Sequence, residues 1–278
     1  MNAKIIIAIT AVVIIAAGAG GAYYLLKDKG PETDYTLLDS NMNIKKGLTI
    51  EYDLSSSDSK LSVVAIVDSV ENGKALYHTV TKASNSEYID SAMTFSSFTP
   101  TNFVVNYTKA APDSMEIEKD GNVYTLNGKT TKGNMTYILD SLKITYDGSV
   151  RYVDGKMTYE SVTSDEEYTK TVYKFMTFEG KLMSKVNSDS KSKGELNTAA
   201  FYEEVLSRYK ASDYSGTTIT ESTGRYHGVE VKIYTINGTS SGTTYKDAEI
   251  YTYKGYTIKT DGIVNGERST GTVSIYIK

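Results

Sequence analysis

Apolar residues fall along this chain in two patterns. Ile5 to Leu26, reading IIIAITAVVIIAAGAGGAYYLL, runs without a charge between Lys4 and Lys27-Asp28-Lys29. As a helix, at about 1.5 Å per residue, such a run just crosses a hydrocarbon core of roughly 30 Å. Tyr23 and Tyr24 stand near its exit, where amphipathic rings favour the headgroup level. Beyond Lys46 the pattern becomes alternation. Val229, Val231 and Ile233 share one face of a predicted strand, with Glu230, Lys232 and Tyr234 opposite. Val273, Ile275 and Ile277 alternate with Ser274 and Tyr276, while Tyr168, Val172 and Met176 share a face in a longer run.

Asn-Gly and Asp-Gly pairs punctuate these runs at Asn72, Asp120, Asn127, Asp147, Asp154, Asn237, Asp261 and Asn265, each followed by Gly. Both central residues of a type I′ turn need positive φ, which Asn, Asp and Gly tolerate, so each pair predicts a hairpin tip. One segment has helical spacing instead. In Glu195 to Lys210, residues Leu196, Ala199, Ala200, Tyr202, Val205, Leu206 and Tyr209 form a stripe. Asn197 or Thr198 is placed to cap it, and Arg208 and Lys210 suit its C-terminus. Glu87 to Phe98 is a weaker second helix. Gly30 to Lys46 reads as a tether, and Ser55 to Ser59 and Asn187 to Gly194 as polar loops.

The alternating region resembles itself. VYTLNGKTTKGNMTY over Val123 to Tyr137 aligns with IYTINGTSSGTTY over Ile233 to Tyr245, and Tyr146-Asp147-Gly148 with Tyr253-Lys254-Gly255. The offset is roughly 100–110 residues, which predicts a duplication. The expected organisation is an anchor or signal segment over 1–29, a tether over 30–46, and β modules over 47–163 and 164–278. The fold class expected is mainly β: an N-terminal transmembrane helix and an antiparallel, strand-rich ectodomain of two tandem repeats, with one short helix near 195–210.

Composition narrows the chemistry. The 278 residues include no Cys, which removes disulfides, thiolate metal sites and thiol nucleophiles together. The net charge of −4 comes from 34 acidic and 30 basic residues, well mixed, and no basic stripe suits nucleic acid. Two histidines, His78 and His227, do not correspond in the repeat and lie in strand-like surroundings. A Ser–His–carboxylate site would need one of them, yet no G-x-S-x-G elbow accompanies either. Metal-ligand clusters, EF-hand spacing and phosphate loops are absent from the sequence. No catalytic residue, metal or cofactor is therefore assigned.

Tyrosine is the outlier, with 24 residues against 6 Phe and no Trp. Rings apolar on the face and polar at the tip suit half-exposed strands and flat ligands. Tyr234, Tyr251, Tyr253 and Tyr276 are the candidate exposed binding residues, each out of phase with aliphatic neighbours or beside a turn. Asn106, Asn134 and Asn237 begin N-x-[ST] acceptors. The expected protein is a single-pass membrane module, held by residues 5–26 with its C-terminal body outside the cytoplasm, that binds a glycan, lipid or protein, or serves structurally. Ala17-Gly18-Ala19 fits a cleavage site, so secretion after cleavage is the alternative location. A lipid or hydrophobe carrier with a curved sheet, and a carbohydrate-active enzyme with paired acids, are the alternative functions.

Overall fold

The structure, a computed structural model, describes residues 32–88, 115–164 and 167–278. The apolar run over 5–26, the acceptor Asn106 and positions 89–98 of the predicted second helix lie outside these residues. No helix among the described residues is long and apolar enough to cross a membrane.

Strands dominate: β1 (Leu48–Ser55), β2 (Ser59–Glu71), β3 (Lys74–Tyr88), β4 (Met115–Asp120), β5 (Val123–Lys132), β6 (Met135–Tyr146), β7 (Val150–Ser164), β8 (Glu167–Phe178), β9 (Lys181–Asn197), β10 (Thr217–Tyr226), β11 (Val229–Ser240), β12 (Thr243–Tyr253), β13 (Tyr256–Val264) and β14 (Glu267–Ile277). They form one antiparallel sheet in the order β10-β11-β12-β13-β14-β1-β2-β3-β9-β8-β7-β6-β5-β4. Among the described residues one α-helix occurs, α1 (Phe201–Val205), of five residues.

The compact units are not the consecutive blocks 47–163 and 164–278. One combines the residues up to Thr81 with Ser192–Lys278, and the other is Lys82–Lys191. The second unit is thus inserted in sequence into the first, because β3 and β9 each run from one into the other. In the first unit, Leu48, Ile50, Val67, Val231, Ile258, Val273 and Ile275 line one buried face. In the second, Leu126, Leu142, Ile144, Val153, Met157 and Phe175 form a separate core.

The stretch that composition marks as a tether is part of the first unit's core. Tyr35–Asp39 and Asn41–Asn43 are 3-10 turns opened by Asp34 and Ser40, whose side chains accept the Thr36 and Met42 N–H groups. Tyr35, Leu38 and Ile44 are buried against the sheet. The Asp34 N–H donates to the Ile275 carbonyl at 2.7 Å. Tyr, Leu, Leu and Ile in a short polar stretch give no periodicity, yet three buried side chains suffice to dock it.

The predicted helix over 195–210 is shortened from both ends. Glu195 to Asn197 finish β9, Asn197 caps a 3-10 turn through the Ala199 N–H, and α1 stops at Val205. Beyond it the Ser207 carbonyl accepts from Thr257 N–H, and the Tyr209 N–H donates to the Gly255 carbonyl. These tertiary bonds replace intrahelical ones, and a short helix has little intrinsic stability with which to compete. Asn187 to Gly194, a loop by composition, lies inside β9, where Asn187 to Lys191 pair with Val172 to Tyr168.

Four of the eight Gly pairs are not turns. Asn127-Gly128 and Asn237-Gly238 sit inside strands at register shifts, one between Leu126 and Gly128 and one between Ile236 and Gly238. In each case the Asn side chain accepts a backbone N–H from the next strand: Ser141 to Asn127 at 2.9 Å, Asp247 to Asn237 at 2.8 Å. Ser141 and Asp247 both have positive φ, at 49° and 48°. Asp154-Gly155 and Asp261-Gly262 lie directly opposite, and there Cβ atoms would strike the Leu142 and Ala248 Cα atoms at 2.5 and 2.4 Å. Bulges at equivalent places in β5–β7 and β11–β13 explain the repeated sequence. The aligned segments encode matching irregularities as well as matching strands.

Candidate functional site

Alternation along β11 and β12 places the predicted tyrosines on different faces. Ile233 packs with the main core while Tyr234 packs with Ile236, Ala248 and Ile250. Successive strand residues point to opposite faces, so these two clusters lie on opposite sides of the sheet. Tyr251 and Tyr253 belong to the face of Ile233. Tyr276, flanked by the core residues Ile275 and Ile277, points the other way. The four candidates therefore form no common surface.

Their hydroxyls also differ from the expectation of free binding groups. Tyr276 is buried, at 8% exposure, and donates to Glu51 at 3.4 Å, which corrects its place among the exposed residues. Tyr251 donates to Glu249 and Tyr253 to Asp39. The Glu249 carboxylate, then burial, push the Tyr251 hydroxyl up to about 12, and burial, then the Asp39 carboxylate, push Tyr253 up to about 12. Tyr35 donates to the Val273 carbonyl, Tyr202 to the Leu37 carbonyl and Tyr256 to Glu203. On this face, tyrosine chiefly ties covering segments to strands.

Tyr234 is different. Its ring stacks on Tyr209 at 3.8 Å between centroids and 14° between planes. Tyr209 also stacks on Tyr214 at 5.9 Å, and Tyr214 meets Tyr245 edge-on at 5.5 Å. All four rings are half-buried. Three chain segments bring them together. Tyr209 is positioned by its backbone bond to Gly255, Tyr214 ends the 3-10 turn Ala211–Tyr214, and Tyr234 and Tyr245 stand on neighbouring strands. Ile236, Ala248 and Ile250 form the floor. Beside the stack, Lys232 Nζ meets Glu221 at 2.7 Å.

The electrostatics favour neutral hydroxyls here. Burial, then Tyr234, Glu221 and Asp213, push the Tyr209 hydroxyl up; burial also raises Tyr214 and Tyr245. The Tyr209 hydroxyl is buried and has no hydrogen-bond partner. The cluster offers flat apolar area, phenolic donors and an adjoining ion pair.

The other polar groups are dispersed. Arg208 grips Glu203 through Nε and Nη2, lies over the Tyr256 ring and donates to the Lys254 carbonyl. Hydrogen bonds from Arg208 and Tyr256 hold the Glu203 carboxyl down to about 2. His78 Nδ1 lies 2.9 Å from Asp68. His227 occupies a hairpin tip with φ of 46° and packs edge-on against Tyr226. Asp58 is buried with both carboxylate oxygens unpartnered, and burial, then Glu267, raise its carboxyl. Among the described residues no group of three or more His, Cys, Asp or Glu is arranged to hold a metal. Of the acceptor asparagines, Asn134 is exposed at the β5–β6 turn, and exposed Asn237 has its carboxamide oxygen engaged in the bulge.

Tyr209, Tyr214 and Tyr245 were not legible as site residues, since helical spacing claims Tyr209 and nothing in the sequence joins it to Tyr234. Identical aromatic residues on separated segments carry no pairing code. No family model, curated protein or solved structure matches this chain.

Proposed function

We propose that this protein is an internally duplicated β module held at a membrane by Ile5–Leu26, with its body outside the cytoplasm, and that it acts by binding. The contact surface is the cluster Tyr209, Tyr214, Tyr234 and Tyr245, and the ligand class is an oligosaccharide. The observation that carries this reading is the stack itself: four half-buried rings on one face, with an unpartnered buried hydroxyl at Tyr209. Sugar rings present C–H faces for stacking and hydroxyls for phenolic partners, a combination that tyrosine meets at low ordering cost. The opposite face of the first unit supports binding over lipid carriage. Its apolar surface is filled by the chain's own Tyr35, Leu38, Ile44, Phe201 and Tyr202.

The test uses full-length protein in mild detergent on a printed panel of neutral and acidic oligosaccharides. Tyr234→Ser and Tyr245→Ser should abolish capture, while Tyr253→Ser should leave it intact. Equal binding by all variants, or no capture by the native chain, refutes the assignment. Location is tested separately: carbonate-washed membranes should retain the protein, and protease added to intact cells should digest its body.

A further inference from the structure

The sheet ends, in the first unit, on β10, whose outer side pairs with nothing among the described residues. Exposed strand edges invite pairing with another chain, and proteins ordinarily blunt them by shortness, Pro, Lys or a bulge. The other terminal strand, β4, follows that practice. It has six residues, MEIEKD, four of them charged. β10 does not. It has ten residues, TTITESTGRY, with no Pro and no Lys. It pairs with β11 from Thr217–Gly238 to Tyr226–Val229 without a register shift, whereas the β11–β12 and β12–β13 ladders are both bulged. Its middle, Thr220 to Thr223, is exposed.

We propose that β10 is a dimerisation edge and that its occupant is β10 of a second copy of this chain, antiparallel about a two-fold axis at Thr223. The charge pattern selects this partner and register. Glu221 and Arg225 lie equally far on either side of Thr223 and, four residues apart in an unbulged strand, on the same face. Pairing about Thr223 sets Glu221 opposite Arg225 of the second copy, and by symmetry Arg225 opposite Glu221. Directly opposed unlike charges stabilise a cross-strand pair. Around the axis the remaining positions join Ser222 with Gly224 and Thr220 with Tyr226, so no like charges face each other. Both charged side chains are exposed. Their present contacts, Glu221 with Lys232 and Arg225 with the Gly228 carbonyl, lie within the hairpin and leave further oxygens and N–H groups to share. The interface is isologous, so it closes at two copies instead of extending into a fibre.

The chain has no Cys, so one introduced thiol reads the register directly. In the full-length protein in mild detergent, Thr223→Cys places two Cα atoms about 4.5–5.5 Å apart across the axis, within disulfide reach. Thr218→Cys, also on β10, places them about 34 Å apart, ten residues at strand rise. Mild oxidation should give a covalent dimer for Thr223→Cys and none for Thr218→Cys, and light scattering should give twice the protomer mass for the native chain. As a second arm, Glu221→Arg should weaken dimerisation about tenfold, and Glu221→Arg with Arg225→Glu should restore it. A monomeric native chain overturns the proposal. So does a dimer in which Thr223→Cys fails to cross-link, or in which both thiols cross-link equally.

Discussion

Tyr35 decides whether residues 32–46 belong to the fold. It is 1% exposed and sits in the main core of the first unit, and its hydroxyl donates to the Val273 carbonyl at 2.5 Å. Truncating it to Ala removes a buried aromatic ring, and such truncations cost about 3–5 kcal/mol. Tyr35→Phe keeps the ring and removes the bond. Its cost should be about 1–3 kcal/mol, because the Val273 carbonyl then loses its side-chain donor in a buried place. Domain stabilities are about 5–15 kcal/mol, so the larger change removes a substantial fraction of the total. Urea unfolding of the full-length protein, followed by circular dichroism at constant pH, measures both. The midpoint should fall for Tyr35→Phe and further for Tyr35→Ala, with little change in slope. A tether would answer differently, since substitutions in it leave the midpoint unmoved. Two unchanged midpoints would refute the claim that this segment covers the sheet.

The two opposed glycines test the repeated bulges. Gly262→Ala meets Ala248 Cα at 2.4 Å, and Gly155→Ala meets Leu142 Cα at 2.5 Å with a φ of +134°, so each should lower the unfolding temperature, while Gly266→Ala, strained only by its φ of +87° with nothing within 4 Å, should do so less; equal shifts in a thermal melt would sink the comparison. Glu203 supplies a pH-dependent term. Its folded carboxyl lies near 2 against an unfolded value of 4.5, so its contribution is present above 4.5 and is lost as pH falls through about 2. Its pair with Arg208 is about half exposed, which confines the contribution to the range of solvent-screened pairs, about 0.2–1 kcal/mol. The stability difference between native protein and Glu203→Gln should therefore narrow from pH 6 to pH 2 in urea titrations, and a difference independent of pH would contradict it.

The strand-rich class was readable because alternation is local, and period two at Val229 to Tyr234 or Val273 to Ile277 depends on nothing distant. Turns were half readable. Hairpin tips at Asn72-Gly73 and Asn265-Gly266 carry the expected positive φ, but the same conformation occurs at Glu179, His227, Ser241 and Lys254, each followed by Gly. At those tips Gly supplies one left-handed position and the strand pairing imposes the other on an ordinary residue, so the first position carries no composition signal. Conversely, Asn237-Gly238 has turn chemistry inside a strand. There the Asn carboxamide substitutes for a ladder acceptor displaced by the bulge, and that role needs the same small polar side chain that a turn does. Residue type reports the backbone conformation required, not whether the chain reverses. The tyrosine cluster was unreadable for a related reason. A stack forms when segments separated by many residues meet, and Tyr209 comes to Tyr234 only because backbone bonds at Ser207 and Tyr209 end the helix early and lay the chain along β13. The interactions that override helical propensity are the same ones that assemble the tyrosine cluster, so the early end of α1 and the cluster are hidden from the sequence for one reason.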